Sequence, residues 1–140
     1  MSGDDKKLIE KAKDKLKNGY KEPFHTAAAA LRTKSGKIIT AMNAHHYSGF
    51  LCAEMSALNL AIEQSAGKLD TIVCVKYRGE PKKPEVINTC GKCRQILIEF
   101  APEIKLIVVD EKRTLKKKSI FDLLPYPYIQ SSTRKTWDEG

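Results

Sequence analysis

Three thiols and one carboxylate constrain this 140-residue chain more than anything else in it. Cys52-Ala53-Glu54 is followed further along by Cys90-Gly91-Lys92-Cys93. Brought together in space, three thiolates hold a tetrahedral zinc ion and leave its fourth position open to water. Glu54 lies two residues from a ligand and is not needed as one, so it is placed to take a proton from that water. Zinc lowers the pKa of bound water toward about 7, which provides a nucleophile at neutral pH. A closed structural site would call for a fourth Cys or His, and no second C-x-x-C is present. Taken singly, the pieces have plainer readings: a free Cys is commonly a small buried hydrophobe, and a lone C-x-x-C is a redox pair. It is the joint arrangement with Glu54 that points to a zinc hydrolase.

The residue pattern says which elements carry these motifs. Leu8, Ile9, Ala12 and Leu16 recur at helical spacing, with Asp4 and Asp5 in the first turn and Gly19 at the end, so 4–18 is expected to be a helix. Segments 26–33 and 37–43 flank Ser35-Gly36 and read as a hairpin, although the first is rich in alanine, a poor strand former. A helix is expected over 52–66, a strand over 71–77, a polar loop with Pro81 and Pro84 over 79–88, and a helix over 91–100. The near-continuous apolar run 104–109 reads as a strand buried on both faces, and Ser119 as the cap of a short helix, 120–124. This order predicts an α/β fold with helices on both faces of a sheet, the first two strands antiparallel and the later ones parallel. Both cysteine motifs then open helices, whose N-termini favour thiolates. Three thiolates with zinc leave a net negative charge, and Arg94 is the candidate cation to offset it.

Composition narrows the class. Residues 1–140 are expected to form one domain, with 126–140 as a C-terminal tail. No apolar run approaches a membrane span, and the N-terminus has no apolar signal region. Four cysteines without a visible signal suggest a reducing compartment, so the cytoplasm is expected. The 25 basic against 17 acidic residues invite a nucleic-acid reading. The lysines, however, interleave with acids along the first helix as on a solvated face. The densest tract, Lys112-Arg113 and Lys116-Lys117-Lys118, has no aromatic interleaving, so no nucleic-acid partner is expected.

Cys52-Ala53-Glu54 with Thr89-Cys90-Gly91-Lys92-Cys93-Arg94-Gln95 resembles the small cytidine deaminases, which carry C-A-E and P-C-G-x-C-R-Q. The resemblance covers roughly 20–128, and the general arrangement of zinc deaminases, a first ligand followed by a non-ligand Glu, is the same. It implies a three-layer α/β/α sandwich with a mixed, about five-stranded sheet, one Zn²⁺ per subunit and a homotetramer. It implies a small nucleoside-like substrate that loses ammonia from C4 of a cytosine ring. Cys52, Cys90 and Cys93 would hold the metal, Glu54 would carry protons, and the Ala53 N–H would help hold the ring. Ordinary cytidine deaminases have N-x-E before C-A-E and Arg after it; here stand Asn43-Ala44-His45 and Met55. The blasticidin S deaminase subgroup fits better, since Asn43, His46, Gly49 and the apolar Met55 match its pattern without a gap. Here His45 replaces a Tyr of that subgroup, and Thr89 replaces a Pro found in most relatives. The ending Trp137-Asp138-Glu139-Gly140 is similar to the W-E-G tail whose aromatic closes over the substrate.

From the same resemblance, Asn43, His45, His46, Ala53, Phe24 and Trp137 are candidate substrate contacts. Phe24 or His25 would stack on the pyrimidine, with a core role for Phe24 as the alternative. Cys74, mid-strand among apolar neighbours, reads as core. The leading expectation is a deaminase of the blasticidin S type. The alternatives are a cytidine and deoxycytidine deaminase, or a non-enzymatic zinc or nucleic-acid-binding domain.

Overall fold

In the computed structural model, which describes residues 1–129, a ten-residue strand, β5 (Leu69–Arg78), runs through the middle of the sheet. One edge of β5 takes β1 (Ala27–Thr33), antiparallel. The other edge is shared: β7 (Lys105–Val109) runs parallel beside Thr71 and Ile72, and β6 (Lys83–Ile87) antiparallel beside Cys74 to Arg78. β2 (Ile38–Met42) lies outside β1 and β8 (Leu115–Ser119) outside β7, both antiparallel. The order β2-β1-β5-β7-β8, with β6 added on β5, makes a six-stranded mixed sheet.

Helices cover both faces, because alternate strand residues point to opposite sides. Ala28, Ala30, Val73, Val75 and Ile107 face α1 (Gly3–Gly19), which contributes Leu8, Ile9, Ala12 and Leu16. Ala27, Ala29, Ile72 and Leu106 face the other way, toward α2 (Ala53–Glu63) and α3 (Gly91–Phe100). The alanine run thus lies between two helical layers, and its small side chains let both approach closely. Tertiary packing overrides the poor strand propensity of alanine here. The β1–β2 turn needs Gly36, whose φ of 99° strains any residue with a Cβ. α4 (Ile120–Leu123) is capped by the Ser119 hydroxyl, which accepts from the Asp122 N–H.

The three-layer α/β/α expectation holds, and the helices fall within one to three residues of their expected bounds. The sheet is larger than the expected five or so strands. The segment 79–88, expected to be a polar loop, contains β6; the lysine tract contains β8. A separate two-stranded hairpin, β3 (Ala44–His46) and β4 (Gly49–Leu51), was also not anticipated and leads directly into Cys52. Among the described residues no helix is long and apolar enough to cross a membrane.

Candidate active site

Two helix starts make the site. Cys52 is the residue before α2 and Cys90 the residue before α3, each with extended backbone. Ser, Thr, Asp or Asn usually occupies such positions and turns back to bond the helix N–H groups. Neither cysteine side chain makes a full cap of that kind, and both thiols turn toward a common point. Cys93, one turn into α3, joins them, and the three Sγ atoms lie within 4.8 Å of one another. Tetrahedral zinc with Zn–S of about 2.3 Å places its sulfurs about 3.8 Å apart, so the donor set and spacing fit that ion. Neither His45 nor His46 joins this cluster.

Each motif is anchored from outside. Asn88 imitates one more strand residue: its Nδ2 donates to the Val109 carbonyl at 2.9 Å, and its Oδ1 accepts from the Val109 N–H at 2.8 Å. This clamps the approach to Cys90 onto the end of β7 and gives the segment around Thr89 a fixation that does not depend on proline. Nothing in the sequence pattern marks Asn88 as important. Arg94 is turned away from a purely electrostatic role. Its Nη1 donates to the Leu123 carbonyl at 3.0 Å, tying α3 to α4, and its Nε is buried without a partner.

The thiols differ in acidity. Burial pushes Cys52 and Cys93 up, while Cys90 is lowered: burial opposes ionisation there, but the Cys93 N–H and the Cys93 and Cys52 thiols outweigh it. Cys90, the exposed member, is therefore the readiest thiolate. Glu54, in the first turn of α2, is only 5% exposed. Cys74, buried in β5, is close enough to feel its charge. Burial, and then the Glu54 charge, hold the Cys74 thiol well above its ordinary range. That neighbour went unnoticed in sequence because Cys74 is surrounded by apolar residues in β5.

The candidate substrate contacts fall before β1, along the segment that leads into Cys52 and at the start of α2. Ala53 is buried at the start of α2. Phe24 is 46% exposed, which excludes the core alternative, and its carbonyl accepts from the His45 N–H at 3.0 Å. His25 Nδ1 lies 2.8 Å from the Asn43 carbonyl oxygen. The His45 ring packs edge-on against Phe50, and His46 Nδ1 pairs with the Ser48 hydroxyl at 2.7 Å. Asn43 is buried, and its carboxamide bonds Thr26 and Ala27. Trp137 lies outside the described residues.

Residues 2–110 match the family model described as the cytidine and deoxycytidylate deaminase zinc-binding region. A blasticidin-S deaminase from Bacillus cereus is 32% identical over 136 residues, 94% of this chain and 96% of that protein. A cytidine deaminase from Mycobacterium tuberculosis is 31% identical over 104 residues, covering 73% of this chain and 71% of that one. The crystal structure of a cytidine deaminase from Burkholderia pseudomallei superposes with a TM-score of 0.72 at 28% identity, covering 91% of this chain and all of that one. With its three thiols gathered as such a zinc site requires, the chain belongs to the zinc-binding cytidine and deoxycytidylate deaminase family and is a hydrolytic deaminase.

Proposed function

We propose that this enzyme hydrolyses the C4 amino group of a cytosine-containing, nucleoside-like molecule of the blasticidin S type, giving the uracil form and ammonia. The observation that carries this is Glu54, a buried carboxylate in the same turn as Cys52 and beside the three-sulfur cluster. Zinc in the Cys52, Cys90 and Cys93 triad supplies, when bound, a water-derived nucleophile at neutral pH. Glu54 takes one proton from water and delivers it to ring N3, then takes the remaining hydroxyl proton and delivers it to the departing amine as the C4 carbonyl forms. The Ala53 N–H, unpaired at the start of α2, holds the ring by its polar edge. Phe24 offers a partly open aromatic face for the ring, and His45 and His46 line the hairpin on the side of the substituent. Asn43 shapes that hairpin's base as well as contacting the substituent, and Arg94 steadies the Cys93 turn.

The near full-length likeness to the blasticidin-S deaminase favours that substrate type over cytidine. His45, at a position where a ribose-binding Glu would stand, supports the same choice. The likeness to cytidine deaminases keeps cytidine and deoxycytidine as the second reading. The chain works as one domain in the cytoplasm and as a homotetramer. Free cysteines support the reducing compartment, and exposed aromatics near the hairpin support association. The end of the described chain is tied to α3, where Gln95 Nε2 donates to the Tyr128 carbonyl at 2.6 Å. Trp137 follows eight residues after Ile129, close enough in sequence to serve as a lid.

An ultraviolet assay against cytidine, deoxycytidine, cytosine and blasticidin S tests the substrate. Turnover is expected with blasticidin S; activity confined to cytidine and deoxycytidine moves the assignment to the second reading. Glu54→Gln should retain zinc and fold and lose at least about a hundredfold in kcat, the usual scale of a general acid–base contribution. Unchanged turnover removes the role assigned to Glu54.

A further inference from the structure

We infer that Asn88 is a positioning residue: its carboxamide, bonded twice to β7, holds Cys90 where it meets Cys52 and Cys93, and so sets how slowly zinc is released. The inference rests on Cys90 being a zinc ligand, as proposed above.

The three thiols are not equally well held. Cys93 is wholly buried one turn into α3, and Cys52 is partly covered. Cys90 is exposed, and a Cβ on the next residue, Gly91, would meet nothing within 4 Å. Packing therefore does little to fix Cys90. On its helix side the Cys90 carbonyl accepts from the Arg94 N–H at 3.0 Å. On the other side, Asn88 and Thr89 alone separate it from β6, which ends at Ile87. Thr89 is 5% exposed and packs, but its N–H makes no backbone hydrogen bond among the described residues. The directional hold on this side falls to Asn88.

The topology explains why Val109 is available to it. β7 runs beside β5 only at Thr71 and Ile72, and from Cys74 onward β6 occupies that edge. The two strands fork, and past the fork Val109 has a strand partner only on its other side, at Leu115 of β8. The Asn88 carboxamide fills the vacant place, donating to the Val109 carbonyl at 2.9 Å and accepting from its N–H at 2.8 Å. Two opposed bonds to one residue fix orientation as well as position, where a single bond would leave a pivot. Beyond the clamp the fork opens into a cleft lined by Arg78, Val86 and Lys112. Asn88 itself is exposed there, so bonding rather than packing keeps it from swinging away. A donor held in place in advance gives up less freedom when it binds, and outer partners that orient ligands raise metal affinity.

The test uses the zinc-loaded, full-length enzyme. Asn88→Ala should release zinc to a chromogenic chelator about tenfold faster than the wild type, toward the low end of what losing a partner that orients a ligand costs. Adding Thr89→Pro should recover most of that loss. Proline restricts the chain just before Cys90, and the N–H it removes bonds no backbone group. Equal release rates in Asn88→Ala and the wild type overturn the inference. So does faster release that Thr89→Pro leaves uncorrected, which marks a general loosening of the fork. A third measurement needs no variant: in the wild type the Val109 amide should exchange slowly with solvent, and exchange at the rate of an unprotected amide also overturns the inference. Failure of the ligand reading shows separately, as a Cys90→Ala protein that still holds one zinc tightly per chain.

Discussion

Asn43 shows how one side chain holds the approach to the site. It is 1% exposed, and its Oδ1 accepts from the N–H groups of Thr26 at 2.7 Å and Ala27 at 2.9 Å, while Nδ2 donates to the Thr26 hydroxyl at 3.1 Å. Its carboxamide thus caps the open end of the β1–β2 hairpin from which β3 departs. Asn43→Ala leaves two N–H groups without that acceptor and should lower unfolding stability by about 2–3 kcal/mol. Asn43→Asp keeps the acceptor and should restore most of the stability. Chemical denaturation of both variants checks this; an Asn43→Ala protein as stable as the wild type would show that the side chain acts on the substrate alone. The sequence shows Asn43 only as part of a motif, because its partners lie 16 and 17 residues earlier and no local pattern connects them. The three cysteines, by contrast, are legible at once, since few arrangements other than a metal site need that spacing.

At the scale of elements, an ion cluster fastens α1 to the sheet. Asp5, in the first turn of α1, pairs with Arg32 of β1 at 2.9 Å and Lys117 of β8 at 3.1 Å, and Arg32 also reaches Asp70 of β5 at 2.8 Å. Burial alone would raise the Asp5 carboxyl, but the bonds from Arg32, Lys117 and Ser2 prevail and bring it down to about 2. The ordinary unfolded value is near 3.8, so between the two the unfolded chain binds the extra proton. The contribution of Asp5 is therefore complete above about pH 5 and drains away as pH falls toward 2. It amounts to about 2 kcal/mol, since Asp5 is almost wholly buried. Asp5→Asn should be less stable by about that much at neutral pH and show a flatter loss of stability on acidification. Parallel acid titration curves for the two proteins would contradict it. The same cluster explains why β8 was hidden. Read in sequence, Lys116-Lys117-Lys118 is a charge run; in the fold Lys117 answers a buried Asp, and its neighbours keep an edge strand from pairing with other chains. β6 escaped notice for a related reason. Its proline and charges suit an exposed edge, and only Val86 is buried. What makes it a strand is the length of β5, whose far half needs a partner. Helices and buried strands could be read because their hydrophobic periodicity is their own; edge strands borrow their reason to exist from a neighbour.

Among the described residues, exposed apolar side chains cluster on the hairpin that leads into Cys52. Among the described residues the β3–β4 hairpin forms a two-stranded sheet of its own, and Tyr47 at its turn is 96% exposed, with Phe50 and Leu51 about half exposed beside it. Tyr126 and Tyr128 are also bared, on the segment that Gln95 ties to α3. Large aromatics in such numbers are uncommon on a free surface and frequent at interfaces between chains. The hairpin carries His45 and His46 and runs straight into Cys52, so whatever covers it also sets the shape of the substrate approach. The proposed homotetramer would account for both. Sedimentation should then give about 63 kDa, four times the 15.7 kDa chain. If the hairpin lies in that interface, Phe50→Asp would place a charge there and shift the protein toward smaller species. Because the hairpin shapes the approach, KM should rise as the assembly dissociates, while zinc content stays at one ion per chain. A wild-type protein that sediments as a monomer at assay concentration, with undiminished turnover, would show that the aromatics serve the substrate rather than a second chain. Loss of assembly without any rise in KM would place the contact away from the hairpin. Exposed apolar area at the mouth of a site therefore has two candidate owners, and paired measurement of mass and KM assigns it to one of them.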